Sequence, residues 1–383
     1  MKKENMIFRL KLEIGGLVNE MVAKLPETLF LSDSTTFLDP SMASGQYVTA
    51  IEQRLRKHGH SDENIKSRVF GVEKNMLRVN YAIKKNKLVG TYSVDKNDIP
   101  SILICNMKFD CIIGNPPYQT QTDGNSRPIW HLFVENSIKN LEDGGYLCYV
   151  HPSGWRNVDG SFEVVKNLLL SKQVEYLEMH DKPDGIKTFK AMTSYDWYTV
   201  KNSKNVGNKT TVKPKNEQEL KVDLNEYKFI PNGKFELFSN IIAKKGEKTV
   251  EILRTCDYHS QKKDQMSVEK IGKFVHPCVN LVRVDGSPKL VYSNVKKGHF
   301  GTPKLIWGNG GYKMGSFLDK NGDYALTEFA YAIVDDVEKL EDIKKAFDSK
   351  EFRNLMESCD GGDGNINRKV LALFRKDFYK DFI

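Results

Sequence analysis

The chain has 383 residues, enough for two domains that each bury a core. Its apolar content of 39% and charged content of 28% are ordinary for a globular protein, and no apolar run approaches the roughly 18 residues of a membrane helix. Arg9, Lys11 and Glu13 interrupt the N-terminal apolar stretch, which argues against a signal peptide. The six cysteines show no C-x-x-C spacing, which indicates reduced thiols rather than zinc ligands. We therefore expect a soluble, cytoplasmic protein without a metal site.

The net charge of +8 is unevenly distributed along the chain. Residues 1–200 hold 25 Lys and Arg against 24 Asp and Glu, whereas residues 201–383 hold 33 against 26. Within the second half, residues 261–320 carry 11 basic and 4 acidic side chains. This density is typical of a surface that neutralises phosphates, although an ordinary solvated lysine surface has the same composition.

Between residues 35 and 200, short apolar runs alternate with helical spacing, which predicts an α/β fold with a doubly wound sheet of parallel strands. In chain order, strands are predicted at 36–40, 67–73, 88–94, 109–114, 144–150, 174–180 and 197–200. The clearest helices are predicted at 44–57, 75–85 and 129–141.

The segment 201–218 is polar and lacks an apolar period, which indicates a domain boundary. We predict a first domain over 1–205 and a second domain, of α+β class, over 206–383. The pattern of the second domain is irregular, with glycine-rich loops at 308–315 and 360–365.

The strongest motif is Asn115-Pro116-Pro117-Tyr118, directly after the predicted strand 109–114. Ligands of a doubly wound sheet bind at the carboxyl ends of its strands, so this turn projects into the active crevice. Two prolines stiffen its backbone. The side-chain oxygen of Asn115 and the carbonyl oxygen of Pro116 would be two fixed acceptors for the protons of an amino group. Tyr118 would supply a ring on which a base can stack.

An NPPY turn in this position resembles the signature of amino-methyltransferases, which act on planar-conjugated nitrogens. The resemblance implies a Rossmann-like methyltransferase sheet and S-adenosylmethionine as cofactor. An adenine amine is a poor nucleophile because its lone pair is delocalised into the ring. Two fixed acceptors would draw the nitrogen toward a tetrahedral geometry and free the lone pair for attack on the sulfonium methyl.

The segment 37–47, FLDPSMASGQY, resembles the first cofactor motif of this family. A strand ends in Asp39 and Pro40 and continues through small residues into a helix, whose N-terminus presents free N–H groups. The resemblance implies that it binds the methionine end of the cofactor through Asp39, Pro40, Ser41, Ser44 and Gly45. Ala43 and Ser44 stand where the family pattern places a first glycine.

Further cofactor contacts are expected from the ends of the next strands. Glu73 ends the second predicted strand, where an acidic side chain accepts the ribose hydroxyls of a nucleoside. Either Asp95 or Asp98 would bind the adenine amine of the cofactor; the spacing does not separate them. Phe133 resembles the family's apolar contact to the cofactor adenine, and the segment 15–26 stands where the family places a helix against the methionine moiety.

A second aromatic residue is expected to hold the far face of the substrate base. Phe189 resembles the family's second stacking residue, opposite Tyr118, since a flipped base exposes both of its faces. Trp197 is the competing candidate, but it lies inside an apolar predicted strand and is expected in the core.

The order of cofactor motifs, catalytic motif and basic C-terminal domain resembles the gamma class of DNA adenine-N6 methyltransferases of restriction-modification systems. The resemblance implies double-stranded DNA as partner, a target-recognition role for 206–383, a possible cognate restriction endonuclease, and a monomer on DNA. Alternatives are an RNA adenine or protein glutamine methyltransferase, and a catalytically weak DNA-binding specificity component. A fused restriction enzyme is disfavoured because no nuclease carboxylate cluster is evident.

Overall fold

In the computed structural model, the described residues are 15–105, 107–120, 126–254, 257–308, 311, 315–360 and 365–383. The chain forms two compact units, Met1–Lys228 and Phe229–Ile383. The boundary predicted at 205/206 therefore falls inside the first unit. The physical reason is that β8 (Thr210–Lys213) and β9 (Leu220–Val222), which lie within or just beyond the polar segment, hydrogen-bond to the edge of the first unit's sheet.

The first unit is built on a nine-stranded sheet in the order β3-β2-β1-β4-β5-β7-β6-β8-β9. All seven predicted strands are present, which confirms the predicted α/β fold class. Their bounds are Phe37–Asp39 (β1), Val69–Glu73 (β2), Thr91–Val94 (β3), Phe109–Gly114 (β4), Leu141–Pro152 (β5), Lys172–His180 (β6) and Tyr195–Lys204 (β7). The first five strands pair in parallel, but β7 runs antiparallel between β5 and β6.

Helices cover the faces of this sheet, as expected for parallel strands buried on both sides. Their bounds are 15–23 (α1), Thr28–Leu31 (α2), Gln46–Lys57 (α3), Asp62–Arg68 (α4), Met76–Asn86 (α5), Trp130–Lys139 (α6), Glu163–Ser171 (α7) and Lys182–Phe189 (α8). Helix α1 buries Leu17, Val18, Met21 and Val22 in the same core as Tyr47, Val48, Ile51 and Leu55 of α3. The spacing of these residues gives each helix one apolar stripe.

The arrangement of β1 to β4 places four strand ends at one edge of the sheet. Strand β1 has β2 on one side and β4 on the other, and β3 lies beyond β2, all in parallel. Asp39, Glu73, Val94 and Gly114 are the last residues of these strands. The loops that carry the predicted cofactor and catalytic residues therefore begin side by side.

The second unit contains two four-stranded sheets and short helices, which confirms the predicted α+β class. The sheet orders are β10-β17-β14-β15 and β11-β13-β12-β16. The strand bounds are Ile252–Arg254 (β10), Met266–Ser267 (β11), His276–Val282 (β12), Pro288–Ser293 (β13), Lys304–Gly308 (β14), Ser316–Asp319 (β15), Ala325–Leu326 (β16) and Ala330–Val334 (β17). The helices are Phe235–Ile241 (α9), Val337–Asp348 (α10), Lys350–Ser358 (α11) and Arg368–Leu371 (α12).

Across the described part of the chain, no helix combines the length and apolar character needed to cross a bilayer. Of the five cysteines placed in it, four are buried and all are free thiols, as the spacing predicted.

A buried ion pair fixes the loop after β5 to β7. The guanidinium of Arg156 donates to the carboxylate of Asp196 at 2.8 and 3.1 Å, and the indole N–H of Trp155 donates to the same carboxylate at 2.8 Å. Arg156 and Asp196 are 3% and 0% exposed. Removing one charge of such a pair leaves the other buried without its counter-charge.

We therefore expect Asp196→Asn to lower the free energy of unfolding by about 3–5 kcal/mol. Urea denaturation of the full chain measures the loss. Glu219→Gln is the matched control because the Glu219 side chain is 46% exposed in its 3.1 Å pair with Lys24, and such pairs contribute less than about 1 kcal/mol. Equal losses in the two variants would contradict the structural role given to Asp196.

Candidate cofactor and substrate site

A cavity of about 440 Å³ opens at the carboxyl edge of β1 to β4. This volume is within the usual range for small-molecule sites. Seven of the predicted site residues line it: Pro40, Ser41, Glu73, Asp95, Asp98, Asn115 and Phe133. Ile129 and Pro100 add apolar surface. The structure therefore brings together side chains from four different strand ends.

Asp39, the last residue of β1, is 1% exposed and does not line this cavity, although its neighbours Pro40 and Ser41 do. One oxygen of its carboxylate accepts the Ser41 N–H at 3.0 Å, and the other, Oδ2, is buried with no hydrogen-bond partner among the described residues. Burial, opposed by the Ser41 N–H and reinforced by the charge of Glu73, raises the pKa of Asp39 to about 7. A Cβ on Gly114 would lie 2.8 Å from the Asp39 carboxylate, so glycine is needed there. No motif in the sequence pointed to Gly114 as a site residue.

The turn after β1 has an unusual backbone. Ala43 and Gly45 both have positive φ, 45° and 78°. Alanine therefore occupies a left-handed conformation that glycine adopts more easily, at the position where the family pattern has its first glycine. Ala43 nevertheless lines the cavity.

Two residues expected at the cofactor lie elsewhere. Ser44 lines a separate cavity next to Asn19 and Gln46, and its hydroxyl donates to the Gln46 side chain at 3.0 Å. A Cβ on Gly45 would meet side chains of Ala82 and Leu88 at 3.2 Å, so this glycine serves helix packing. Neither residue lines the cavity at the strand ends, because the turn directs them toward α5.

Glu73 and the two candidate aspartates differ in their partners. The Glu73 side chain is 10% exposed and accepts the Asn75 N–H at 3.1 Å. The Asp95 carboxylate accepts backbone N–H groups of Asn97 at 2.9 Å and Ser101 at 2.6 Å, which fixes its loop. Although partial burial acts against it, these N–H groups lower the pKa of Asp95. Asp98 instead forms an exposed 2.6 Å ion pair with Lys74.

Asn115 stands at the wall shared by two cavities. It lines the cavity at the strand ends and also a second one of about 790 Å³, whose other lining includes Tyr118, Trp130, Phe162 and Phe189. The Asn115 carbonyl accepts the Ser41 hydroxyl at 3.0 Å. Its side-chain Oδ1 is buried and has no partner within the described part of the chain. A buried acceptor left open in this way is costly unless a ligand satisfies it.

Tyr118 and Phe189 both line the second cavity, but their rings do not form a parallel pair on either side of a gap. Their ring centroids are 6.2 Å apart and their planes are inclined by 75°. A base between two rings needs roughly 7 Å between parallel planes, twice the contact distance of carbon atoms. The parallel arrangement expected from the sequence is therefore absent in this structure. Trp197 is 1% exposed and packs in the core of the first unit, as expected.

The position of Phe189 depends on the loop that follows it. Phe189 is the last residue of α8, and Lys190 caps the helix with a φ of 58°. A Cβ on Gly185 would lie 1.9 Å from the Thr193 carbonyl oxygen, so the loop packs directly on the helix backbone. Met192 of this loop is 77% exposed and lines the second cavity. The sequence analysis named none of these supporting residues.

The comparison with known proteins agrees with this geometry. Residues 26–181 match the Eco57I restriction-modification methylase family. A stretch of 124 residues is 29% identical to the type II restriction enzyme and methyltransferase RM.Eco57I of Escherichia coli, and covers 27% of this chain and 12% of that protein.

Residues 26–181 thus resemble a restriction-modification methylase domain.

Two solved structures share the fold of this chain at 10% sequence identity. The type IIL restriction-modification enzyme MmeI, solved in complex with DNA, aligns with a TM-score of 0.53 over 96% of this chain and 65% of its own. A nuclease-deletion mutant of the type ISP enzyme LlaGI, solved with a DNA substrate mimic, aligns with a TM-score of 0.52 over 91% and 51%.

The methylase match implies S-adenosylmethionine as cofactor, and the cavity at the strand ends fits this group. Glu73 would offer carboxylate oxygens for ribose hydroxyls, and Phe133 and Ile129 would offer apolar surface for a purine. Asn115, whose buried Oδ1 has no partner among the described residues, also lines the cavity. Within the described residues, no group of three or more His, Cys, Asp or Glu is placed to hold a metal ion.

The raised pKa of Asp39 makes a testable prediction about stability. Because the folded-state pKa of about 7 exceeds the ordinary 3.8, protonation favours the folded state. The cofactor-free wild type should lose stability relative to Asp39→Asn as pH rises from about 4 to about 7, by up to about 1.4 kcal/mol per pH unit. Urea denaturation at pH 5 and pH 7 measures this difference.

Asp143→Asn is the matched control, since Asp143 is exposed. The stability difference between wild type and this control should not change with pH in the same window. A difference for Asp39→Asn that stays constant from pH 5 to pH 7 would show that the Asp39 carboxylate is not desolvated.

Proposed function

We propose that this chain transfers the methyl group of S-adenosylmethionine to the N6 amine of an adenine flipped out of a specific site in duplex DNA. The observation that carries the proposal is the buried, unpartnered Oδ1 of Asn115 on the wall common to both cavities. An acceptor there reaches an amino group on one side and the methyl donor on the other. Support for a DNA substrate comes from the restriction-modification family of residues 26–181.

In this mechanism, the bound cofactor supplies an electrophilic methyl group on a sulfonium. Asn115 Oδ1 and the carbonyl oxygen of Pro116 accept the two protons of the adenine amine and orient its lone pair toward that methyl. As the amine nitrogen accepts the methyl group, the electron pair of the broken carbon–sulfur bond would remain on sulfur, while Asn115 and Pro116 hold the amine in place. The amine then carries positive charge and loses a proton to water, so no strongly basic side chain is required.

The hydrogen bond from Ser41 to the Asn115 carbonyl keeps the acceptors in place. Because Ser41 also donates its N–H to Asp39, the turn that holds the cofactor and the turn that holds the amine are one connected unit. Preorganised acceptors of this kind need no rearrangement at the moment of reaction.

For the cofactor adenine amine, we favour Asp95 over Asp98. Two backbone N–H groups hold the Asp95 carboxylate in position, and it keeps further lone pairs for a donor. Asp98 is more exposed and already paired with Lys74. Phe133, which is 1% exposed, would pack against the ring of the same adenine.

The alternatives differ in substrate. An RNA adenine or a protein glutamine presents a similar amino group, so a methylation assay with duplex DNA, RNA and protein substrates decides among them. A catalytically weak specificity component is the remaining alternative. Its support is Ala43, which stands where the family pattern has a glycine in the cofactor turn. Titration calorimetry of the full chain with S-adenosylmethionine tests it, because such a component would bind the cofactor weakly. Residues 206–383 as a target-recognition region, a monomeric state on DNA and a partner endonuclease also remain proposals.

Asn115→Ala should abolish methyl transfer to duplex DNA while the dissociation constant for S-adenosylmethionine changes less than about threefold, because the lost oxygen acts on the amine. Incorporation of tritiated methyl into genomic DNA and titration calorimetry measure the two effects. Asn225→Ala is the control, since Asn225 is exposed in the same unit. Unaltered turnover in Asn115→Ala would refute the assigned role.

Tyr118→Ala and Phe189→Ala should each weaken capture of the flipped base by about 1–3 kcal/mol, because each removes one stacking face. Fluorescence of 2-aminopurine at the methylated position reports flipping once the recognition sequence is known. Tyr118→Phe keeps the ring and should retain most of the signal. Loss of flipping in Tyr118→Phe as large as in Tyr118→Ala would assign the role to the hydroxyl instead.

A further inference from the structure

Three segments of the second unit meet at one end of the β11-β13-β12-β16 sheet. Met266 of β11 and His276 of β12 both stand opposite Ser293, the last residue of β13. The segment before β11 and the segment after β13 therefore leave the sheet at the end where the loop 268–275 enters β12. The Asn294 N–H donates to Gln265 and the Val275 N–H to Ser293, which tie the three segments by backbone bonds.

This end of the sheet carries a cluster of exposed lysines, here named the lysine rim. Its members are Lys262, Lys263, Lys270, Lys273, Lys296 and Lys297. Residues 261–300 contain 8 Lys and Arg against 3 Asp and Glu, a surplus of 5 in a chain whose net charge is +8. The rim therefore lies within the segment that holds most of the protein's excess charge.

The rim lysines have no carboxylate partner within 4.0 Å among the described residues. The lysines of α10 in the same unit are different. Lys339 pairs with Asp336, Lys344 with Asp348 and Lys345 with Asp342, all at 2.6–2.7 Å. The same unit thus pairs the lysines of one helix with carboxylates and leaves the rim lysines unpaired. Unpaired positive charges repel one another and destabilise the folded state unless an anion is bound.

An exposed apolar turn stands inside the rim. Ile271 is 62% exposed, and a backbone bond of 3.0 Å from the Phe274 N–H to its carbonyl closes a tight turn around Gly272, whose φ is 56°. Lys270 and Lys273 flank the tip on either side. Surfaces that bind proteins are depleted in lysine, whereas an apolar residue between cations suits a nucleic-acid groove bordered by phosphates.

We propose that the lysine rim binds the phosphates of duplex DNA and that the Ile271 turn enters the adjoining groove. This inference rests on the proposed function, for which it names the surface that holds the DNA backbone. Each lysine that neutralises a phosphate releases condensed counterions, so the contribution of the rim is visible as a salt dependence.

The test uses the full chain and a fluorescein-labelled 30-base-pair duplex of arbitrary sequence. Fluorescence anisotropy gives the dissociation constant between 50 and 200 mM KCl. The triple variant Lys270→Gln, Lys273→Gln, Lys296→Gln should reduce the slope of log K against log salt by about 2–3, since each contact contributes about 0.9. The control triple, Lys339→Gln, Lys344→Gln, Lys345→Gln, changes the net charge equally and should leave the slope near that of wild type.

Ile271→Ala should weaken binding severalfold without changing the slope, because it removes no charge. Val284→Ala is its control, since Val284 is 65% exposed in the turn at the other end of β12. Equal slopes in the two lysine triples would overturn the inference, even if all variants still methylate DNA. A wild type that neither binds the duplex nor methylates genomic DNA would instead overturn the proposed function.

Discussion

The arrangement of the candidate site depends on the adjacency of β1 and β4. Because these strands are parallel neighbours, the turns that follow them lie within hydrogen-bond reach, and the Ser41 hydroxyl joins the Asn115 carbonyl across the gap. The packing is so close that Gly114 has no room for a side chain beside Asp39. Donor and acceptor groups are therefore positioned by the sheet itself, and the loops add little freedom.

The features that the sequence predicted correctly are those set by local pattern. Apolar runs of strand length located all seven predicted strands, and the NPPY turn after β4 placed Asn115 in a cavity. Glu73, expected from its place at a strand end, and Phe133, expected from the family resemblance, line the same cavity, and their contacts with a cofactor stay predictions. The strand and NPPY predictions depend on periodicity or on the rule that ligands bind at strand carboxyl ends.

The features that the sequence did not predict depend on contacts between distant segments. The antiparallel direction of β7 and the pairing of β8 and β9 arise from backbone bonds, to which the polar composition of 201–218 gives no guide. Ser44 and Gly45 were assigned to the cofactor because of a motif, but the positive φ of Ala43 turns them toward α5. The loops at 308–315 and 360–365 lie largely outside the described residues.

The close packing of the Thr193 carbonyl on Gly185 limits how the cavity beside Tyr118 can change shape. Helix α8 cannot move away from the loop that follows it without breaking this packing, so the end of α8 is held in place. We therefore expect the cavity to adjust to a planar ring through rotation of side chains such as Phe189 rather than through movement of the helix. Rotations of this kind are fast compared with the microsecond-to-millisecond motions of domain closure.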